Sequence, residues 1–177
     1  LVSRIAKVMV QAYQGVSPAL PGNIMASVKH FALYGAVEGG RDYNIVDMSP
    51  TRMFQDYLPP YHAAIDAGAG SVMVALNSIN GVPATSNTWL MQDLLRKQWG
   101  FKGVAVSDHG AILELIKHGV AKDEREAATL AIKAGVDMSM NDLVYGKELP
   151  GLIRSGKVPQ SDLDNAVREV LGAKYDM

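Results

Sequence analysis

The stretch Gly103-Val104-Ala105-Val106-Ser107-Asp108-His109-Gly110 decides the fold of this chain, because it runs from an apolar segment directly into a carboxylate. An apolar run without polar alternation is typical of a strand buried on both faces, as in a parallel sheet covered by helices. Residues 24–31, 71–76 and 136–140 are runs of the same kind. Amphipathic helical patterns separate them. The repeated order of strand and helix therefore predicts an α/β fold with a parallel sheet.

Local capping signals mark where the intervening helices begin. Ser49 followed by Pro50 predicts a capped helix start, and Asp123 predicts another. Residues 85–87 offer a third cap, before a helix that ends near Gly100. The pair Pro59-Pro60 lies inside the first of these helices, so we expect the helix to kink or restart there.

Two architectures fit a parallel sheet with helices: an open doubly wound sheet and part of a closed barrel. The glycine-rich dinucleotide fingerprint and the Gly-Lys-Ser/Thr phosphate loop are both absent from the sequence. Polar residues follow each strand, at Lys29-His30, Asn77, Asp108-His109 and Asn141-Asp142. Catalytic residues of barrels occupy these strand ends. We therefore predict part of a (β/α)8 TIM-like barrel, about four βα units, which remains incomplete because four strands cannot close it.

Asp108 is the leading candidate for chemistry, and two interpretations of it are equally supported by spacing alone. It could cap the helix that starts near Ala111, or it could act as a catalytic nucleophile. A carboxylate at a strand end can attack an anomeric carbon and form a covalent glycosyl-enzyme. Neighbouring cations would keep such a carboxylate ionised, and Lys29 and His30 are the candidates for that position.

The other candidate residues each have a structural alternative. Lys29 is expected to bind a ligand rather than form an ion pair on the rim, whereas His30 could equally be a hydrogen-bonded core histidine. Arg41 lies in a loop (residues 38–44) whose polar groups suit sugar hydroxyls, although such loops are commonly solvated surface. His109 could line the site or pack beside it. We predict no metal site, because no second ligand has a suitable spacing from His30.

Composition excludes several classes of partner. The net charge of −1 gives no electrostatic reason to expect nucleic acid or an anionic membrane. No apolar run is long enough to span a bilayer. The sequence contains no cysteine, which excludes disulfides and thiolate metal sites. Residues 1–14 and 174–177 have helical patterns, so we expect a fragment cut at both ends, and no signal peptide is visible.

Several segments, in order and in one register, resemble the N-terminal barrel domain of glycoside hydrolase family 3. The similarity is to the periplasmic β-glucosidases of bacteria, and it runs from about residue 24 to the end of the chain. The segments that carry it are Val28-Lys29-His30-Phe31, residues 34–40, residues 72–81, residues 97–103, Val106-Ser107-Asp108 and residues 115–119.

This resemblance implies a retaining, exo-acting β-glycosidase that hydrolyses terminal non-reducing β-D-glucosyl residues by double displacement. Asp108 matches the family's nucleophile, and Lys29 and His30 match the pair that binds hydroxyls of the sugar. The family's acid/base is usually a glutamate of a later domain, so residues 1–177 are expected to be a fragment of the N-terminal catalytic barrel domain. The resemblance implies a carbohydrate substrate, no cofactor, and a periplasmic or secreted location.

The sequence also departs from the family pattern. His109 stands where many members have tryptophan, and Leu76 stands where many have tyrosine. The Pro-Gly-His-Gly loop of the N-acetylglucosaminidase branch is absent after Phe31, so that mechanism is not expected. Three alternatives stay open: a fragment that is inert on its own, a β-xylosidase or other exo-β-glycosidase, and a different barrel enzyme that uses phosphate.

Overall fold

A computed structural model describes all 177 residues of the chain. Two π-helical segments occur, Met53–Tyr57 and Trp89–Gln98, and short 3-10 turns occupy Tyr34–Ala36, Glu38–Gly40 and Ala84–Ser86. In chain order the helices and strands are α1 (Val2–Gln14), β1 (Ser27–Phe31), β2 (Ile45–Val46), α2 (Pro50–Arg52), α3 (Leu58–Asp66), β3 (Ser71–Val74), β4 (Ser78–Ile79), β5 (Val82–Pro83), β6 (Val104–His109), α4 (Ala111–Lys117), α5 (Glu124–Ala134), β7 (Met138–Met140), α6 (Val144–Arg154) and α7 (Gln160–Tyr175).

The main sheet has four strands in the order β1-β3-β6-β7, and all of its neighbours are parallel. Each strand is followed by helix, so the predicted α/β fold with four βα units is confirmed. The sheet is open at β1 and at β7, and the barrel is incomplete as expected. Each of the four strands differs from the prediction at a boundary: β1 begins at Ser27 rather than at residue 24, β3 ends at Val74 rather than at residue 76, and β7 begins at Met138 rather than at residue 136. β6 begins at Val104 rather than at residue 103 and continues through His109.

One face of the main sheet is covered by helices, and the other is open. Val72 and Val74 of β3 and Ala105 of β6 are fully buried in a core of 36 residues. Residues that point to the opposite face are less covered: Met73 and Val106 are half-buried, and Met138 is 47% exposed. The apolar runs predicted burial on both faces. The second face stays open here because four strands do not enclose a barrel interior.

A second sheet of three very short strands, β2-β4-β5, was not predicted. Strands of two residues are too short to show a periodic pattern. Asn80 connects this sheet to the chain before α2: its side chain accepts a hydrogen bond from Met48 N at 2.8 Å and donates one to Met48 O at 2.9 Å. These two hydrogen bonds hold the segment that follows β3 against the segment that precedes α2.

The predicted helix caps are confirmed by side-chain hydrogen bonds. Ser49 accepts from Arg52 N at 3.3 Å, and Asp123 accepts from Glu126 N at 2.8 Å. Within residues 85–87, Asn87 provides the cap. The helix that contains Pro59-Pro60 turns π-helical over Met53–Tyr57 and restarts as α3, as expected from the prolines. No helix of the chain combines the length and the apolar character that a membrane crossing requires.

Candidate functional site

The side chains of His30 and Asp108 meet at the carboxyl end of the main sheet. Nε2 of His30 lies 3.4 Å from Oδ2 of Asp108, and their side chains are 27% and 13% exposed. These residues come from β1 and β6, which are separated by β3. Because β3 stops at Val74, the two side chains can approach each other beyond its end.

The second oxygen of Asp108 does not cap the following helix. Oδ1 accepts a hydrogen bond from the backbone N–H of His109 at 2.7 Å, within β6 itself. The residue that precedes α4 is Gly110, which has a φ of 66° and makes no side-chain cap. The capping interpretation of Asp108 is therefore wrong, because β6 extends two residues further than predicted. The carboxylate is therefore not used as a helix cap.

Tyr34 packs against His30 and was missed by the sequence analysis. The two rings are 4.8 Å apart between centroids, at 51°. The hydroxyl of Tyr34 donates a hydrogen bond to the carboxylate of Asp42. Burial first, then the hydrogen bond and charge of Asp42 and the charge of Asp108, raise the pKa of Tyr34 far above its usual value. The only sequence signal was a tyrosine three residues after β1, which predicts no particular contact.

Tyr61 of α3 holds the backbone of His30. Its hydroxyl donates to the carbonyl oxygen of His30 at 2.7 Å, and its ring makes an edge contact with Phe31, with centroids 5.6 Å apart. Burial raises the pKa of Tyr61 to about 12, so the donor proton is retained at neutral pH. The pairing register of β1 shifts between Val28 and Phe31, and the Lys29–His30 and Phe31–Ala32 peptide bonds are cis. The end of β1 is thus fixed from the helix layer.

The structure does not bring Lys29 or Arg41 into contact with the His30–Asp108 pair. Both are exposed, and neither side chain forms a hydrogen bond or an ion pair within the chain. Lys29 therefore does not have the rim ion pair that was its alternative interpretation. Arg41 lies in an exposed loop that is tied locally by Asn44, whose side chain donates to Glu38 O at 3.0 Å.

His109 lies at the exposed mouth of the sheet, beside the last strand. Its Nε2 accepts a hydrogen bond from the side-chain amide of Asn141, which follows β7 and has a φ of 59°. His62 and His118 were expected to be structural, and they lie elsewhere: His62 stacks on Trp99, and His118 contacts the carbonyl oxygen of Leu76. The chain contains no group of three or more His, Asp or Glu side chains that could hold a metal ion.

An apolar cavity of about 590 Å³ lies away from this site. It lies between helices and is lined mainly by apolar side chains such as Tyr145, Leu149 and Leu163. Neither His30 nor Asp108 contributes to its lining. The candidate site is formed by the paired side chains at the strand ends, where the open barrel leaves the mouth unenclosed.

Similarity to known proteins supports the resemblance drawn from the sequence motifs. Residues 1–173 match the family model described as glycosyl hydrolase family 3 N terminal domain. The chain is 63% identical over 177 residues to a periplasmic beta-glucosidase of Salmonella typhimurium, covering 100% of this chain and 23% of that protein. It is 37% identical over 191 residues to a beta-xylosidase of Formosa agariphila, covering 100% of this chain and 26% of that protein.

A solved structure shows the same fold. The beta-glucosidase from Listeria innocua in complex with glucose superposes with a TM-score of 0.96 and is 47% identical, covering 98% of this chain and 24% of that chain. The chain thus spans about a quarter of the length of the relatives it matches. On the combined evidence of family model, identity and fold, the chain belongs to glycosyl hydrolase family 3.

Proposed function

We propose that this chain supplies the nucleophile of a retaining β-glucosidase, and that Asp108 is that nucleophile. The observation that carries the proposal is the placement of Asp108 at the carboxyl end of a parallel strand, paired with His30. In the first step a carboxylate oxygen attacks the anomeric carbon while the leaving group departs with the bonding electron pair. Water then hydrolyses the glycosyl ester, and configuration is retained.

We propose that the sugar is held by Lys29, His30, Arg41 and His109. Lys29 and Arg41 are exposed cations without partners in the chain, so their donors are available to hydroxyl oxygens. Arg41 is carried by the exposed loop of residues 38–44. The substrate proposed is a terminal β-D-glucosyl residue, since the relative at 63% identity is a beta-glucosidase. A β-xyloside is the second candidate, motivated by the relative at 37% identity.

Residues 1–177 are proposed to be part of the N-terminal catalytic barrel domain of a longer protein. Retaining glycosidases place their two carboxyl groups about 5–5.5 Å apart. By resemblance to glycoside hydrolase family 3, whose acid/base is usually a glutamate of a later domain, we propose that the acid/base residue lies outside residues 1–177. By similarity to the Salmonella protein, we propose a periplasmic location. Family membership gives no support to the alternative of a phosphate-using barrel enzyme.

Replacement of the nucleophile tests this proposal in the full-length protein. Asp108→Ala is expected to lower kcat for an aryl β-glucoside by at least about a thousandfold, because a covalent step is lost. Added azide can occupy the vacated space and attack the anomeric carbon from the opposite side, so turnover should return with an α-glucosyl azide product. Asp93→Asn is the matched control, because Asp93 pairs with Lys97 on an exposed helix surface.

Two outcomes would contradict the proposal. A loss of kcat below about tenfold in Asp108→Ala would exclude a covalent role for this residue. Turnover of an aryl β-glucoside by purified residues 1–177 alone would instead show that the acid/base residue lies inside the chain. A comparison of kcat/KM for aryl β-glucoside and aryl β-xyloside decides between the two sugars.

A further inference from the structure

β6 carries an irregularity at the position of Asp108. Val106 pairs with Met138 of β7, whereas His109 pairs with Met140, so three steps along β6 match two steps along β7. The extra residue lies in the segment Ser107-Asp108. Bulges of this kind interrupt the hydrogen-bond ladder, bend the strand and redirect a side chain, and they are frequent next to active sites.

The hydroxyl of Ser107 bridges the two strands at this bulge. Oγ accepts a hydrogen bond from the backbone N–H of Met140 at 2.9 Å and donates one to the carbonyl oxygen of Asp108 at 2.9 Å. Ser107 is fully buried, whereas Asp108, its neighbour along the strand, is partly exposed at the mouth. The serine is therefore shielded from any substrate that reaches the carboxylate. Its hydrogen bond to Asp108 is made to the backbone carbonyl and not to the carboxylate.

We propose that Ser107 is a positioning residue, whose hydroxyl holds the bulged end of β6 against β7 and thereby sets the direction of the Asp108 carboxylate. This inference rests on the proposed role of Asp108 as nucleophile. Without the hydroxyl, the partly buried N–H of Met140 loses its partner at the edge of the sheet. The strand end can then regain a regular ladder by slipping one residue, and a one-residue slip turns a side chain to the other face of a sheet.

The formation of the covalent intermediate tests the inference in the full-length protein. The probe is 2,4-dinitrophenyl 2-deoxy-2-fluoro-β-D-glucoside: a carboxylate oxygen bonds to C1, dinitrophenolate leaves with the electron pair, and the fluorine slows the later hydrolysis. The variants are Ser107→Ala, Ser107→Thr, which keeps the hydroxyl, and Ser107→Cys, which keeps the size with a weak donor. Ser71→Ala is the matched control, because its hydroxyl also bridges strands, to Ala26 O at 3.3 Å, at the opposite end of the sheet.

We expect Ser107→Ala to slow labelling by about 10- to 100-fold, the effect of a displacement near 1 Å, while KM changes by less than about threefold. Ser107→Thr and Ser71→Ala should be labelled at rates within about threefold of the unmodified protein. A general loss of stability, seen as a lower thermal midpoint, would not by itself produce this difference between the variants. If Ser107→Ala does not fold, Ser107→Cys takes its place, with the same direction of change expected.

Three results would separate the possible failures. Labelling of Ser107→Ala, or of its cysteine substitute, at the unmodified rate would overturn the positioning role. Equal slowing in Ser107→Ala and Ser71→Ala would also overturn it, because it would reflect general loosening of the sheet. Absence of the label from the peptide containing Asp108 in the unmodified protein would instead overturn the proposed function.

Discussion

Arg96 and Asp137 form a largely buried ion pair beneath the main sheet, with 2.6 Å between Nη2 and Oδ2. The same carboxylate oxygen accepts from Ala105 N at 2.7 Å, and Arg96 also donates to Gly103 O at 2.7 Å. The pair therefore joins the Trp89–Gln98 helix to β6 and to the start of β7. It lies at the amino ends of the strands, opposite the candidate site, where barrel residues serve stability.

Replacing Arg96 by methionine should destabilise the protein, because it leaves a buried carboxylate without its cation. We expect a loss of about 3–5 kcal/mol, read as a lower thermal midpoint of the full-length protein. Lys97→Met is the control: Lys97 pairs with Asp93 on an exposed surface, so its loss should stay within about 1 kcal/mol. A similar fall of the thermal midpoint in both variants would show that the buried pair stabilises the protein no more than the exposed pair does.

The loss in Arg96→Met should grow with pH. Burial raises the pKa of Asp137 to about 6, against the lowering effect of Arg96 and of the Ala105 N–H. A carboxyl whose pKa is raised in the folded state binds its proton more tightly there than in the unfolded state. The contribution of Asp137 to the free energy of unfolding therefore falls as pH rises from about 4 to 6. Removing Arg96 raises the folded pKa further and extends that loss above pH 6. Calorimetry should show a larger fall in midpoint at pH 8 than at pH 5; an equal fall would contradict this account.

Local signals in the sequence were sufficient to predict much of this fold. Ser49 and Asp123 cap helices through neighbours three residues away, so their role is visible in the sequence itself. The polar strand ends indicated Asp108 because parallel strands end at the same edge of a barrel. What the sequence left open was whether Asp108 caps a helix, since this depended on two more residues of β6.

Contacts between distant residues could not be predicted from spacing. Arg96 and Asp137 are separated by 41 positions, and Tyr61 and His30 by 31. Their pairing depends on how helices pack on the sheet, which no local pattern specifies. The register shift between Val106 and His109 likewise arises between two strands rather than within one. The sequence therefore indicated the residue types of the candidate site, while the packing determined which of them touch.

Removing the hydroxyl of Tyr34 tests whether the loop after β1 contributes to substrate binding. Tyr34→Phe keeps the ring against His30 but loses the hydrogen bond to Asp42. Because this bond is exposed, its loss corresponds to about 1 kcal/mol, so we expect kcat/KM for an aryl β-glucoside to fall by about fivefold. Tyr43→Phe is the control in the same loop, because the hydroxyl of Tyr43 forms no hydrogen bond. Equal kcat/KM in Tyr34→Phe and the unmodified protein would exclude this role for the loop.

Asn80 should stabilise the small sheet through both its side chain and its backbone. It makes two hydrogen bonds with Met48 and has a φ of 48°. Asn80→Gly loses only the bonds and should cost about 2 kcal/mol, whereas Asn80→Ala adds backbone strain and should cost about 1 kcal/mol more. Asn44→Ala, which removes two local bonds from an exposed loop, should cost less. Denaturant unfolding of the full-length protein measures the free energy of unfolding of all three variants. Equal losses in Asn80→Ala and Asn80→Gly would show that backbone strain does not contribute.

Residues 1–177 expressed alone should lack a sharp unfolding transition. The sheet presents two unpaired edges, β1 and β7, and open sheet edges favour association. Apolar side chains that would face other parts of a barrel are exposed, such as Ile5 and Val8 of α1 at 48% and 63%, and Met138 at 47%. We therefore expect strong binding of the dye ANS, a broad thermal transition and concentration-dependent assembly in sedimentation. A monomer that melts cooperatively without binding the dye would contradict this prediction, and would mean that the helix-covered face alone supplies enough buried apolar surface for an independent fold.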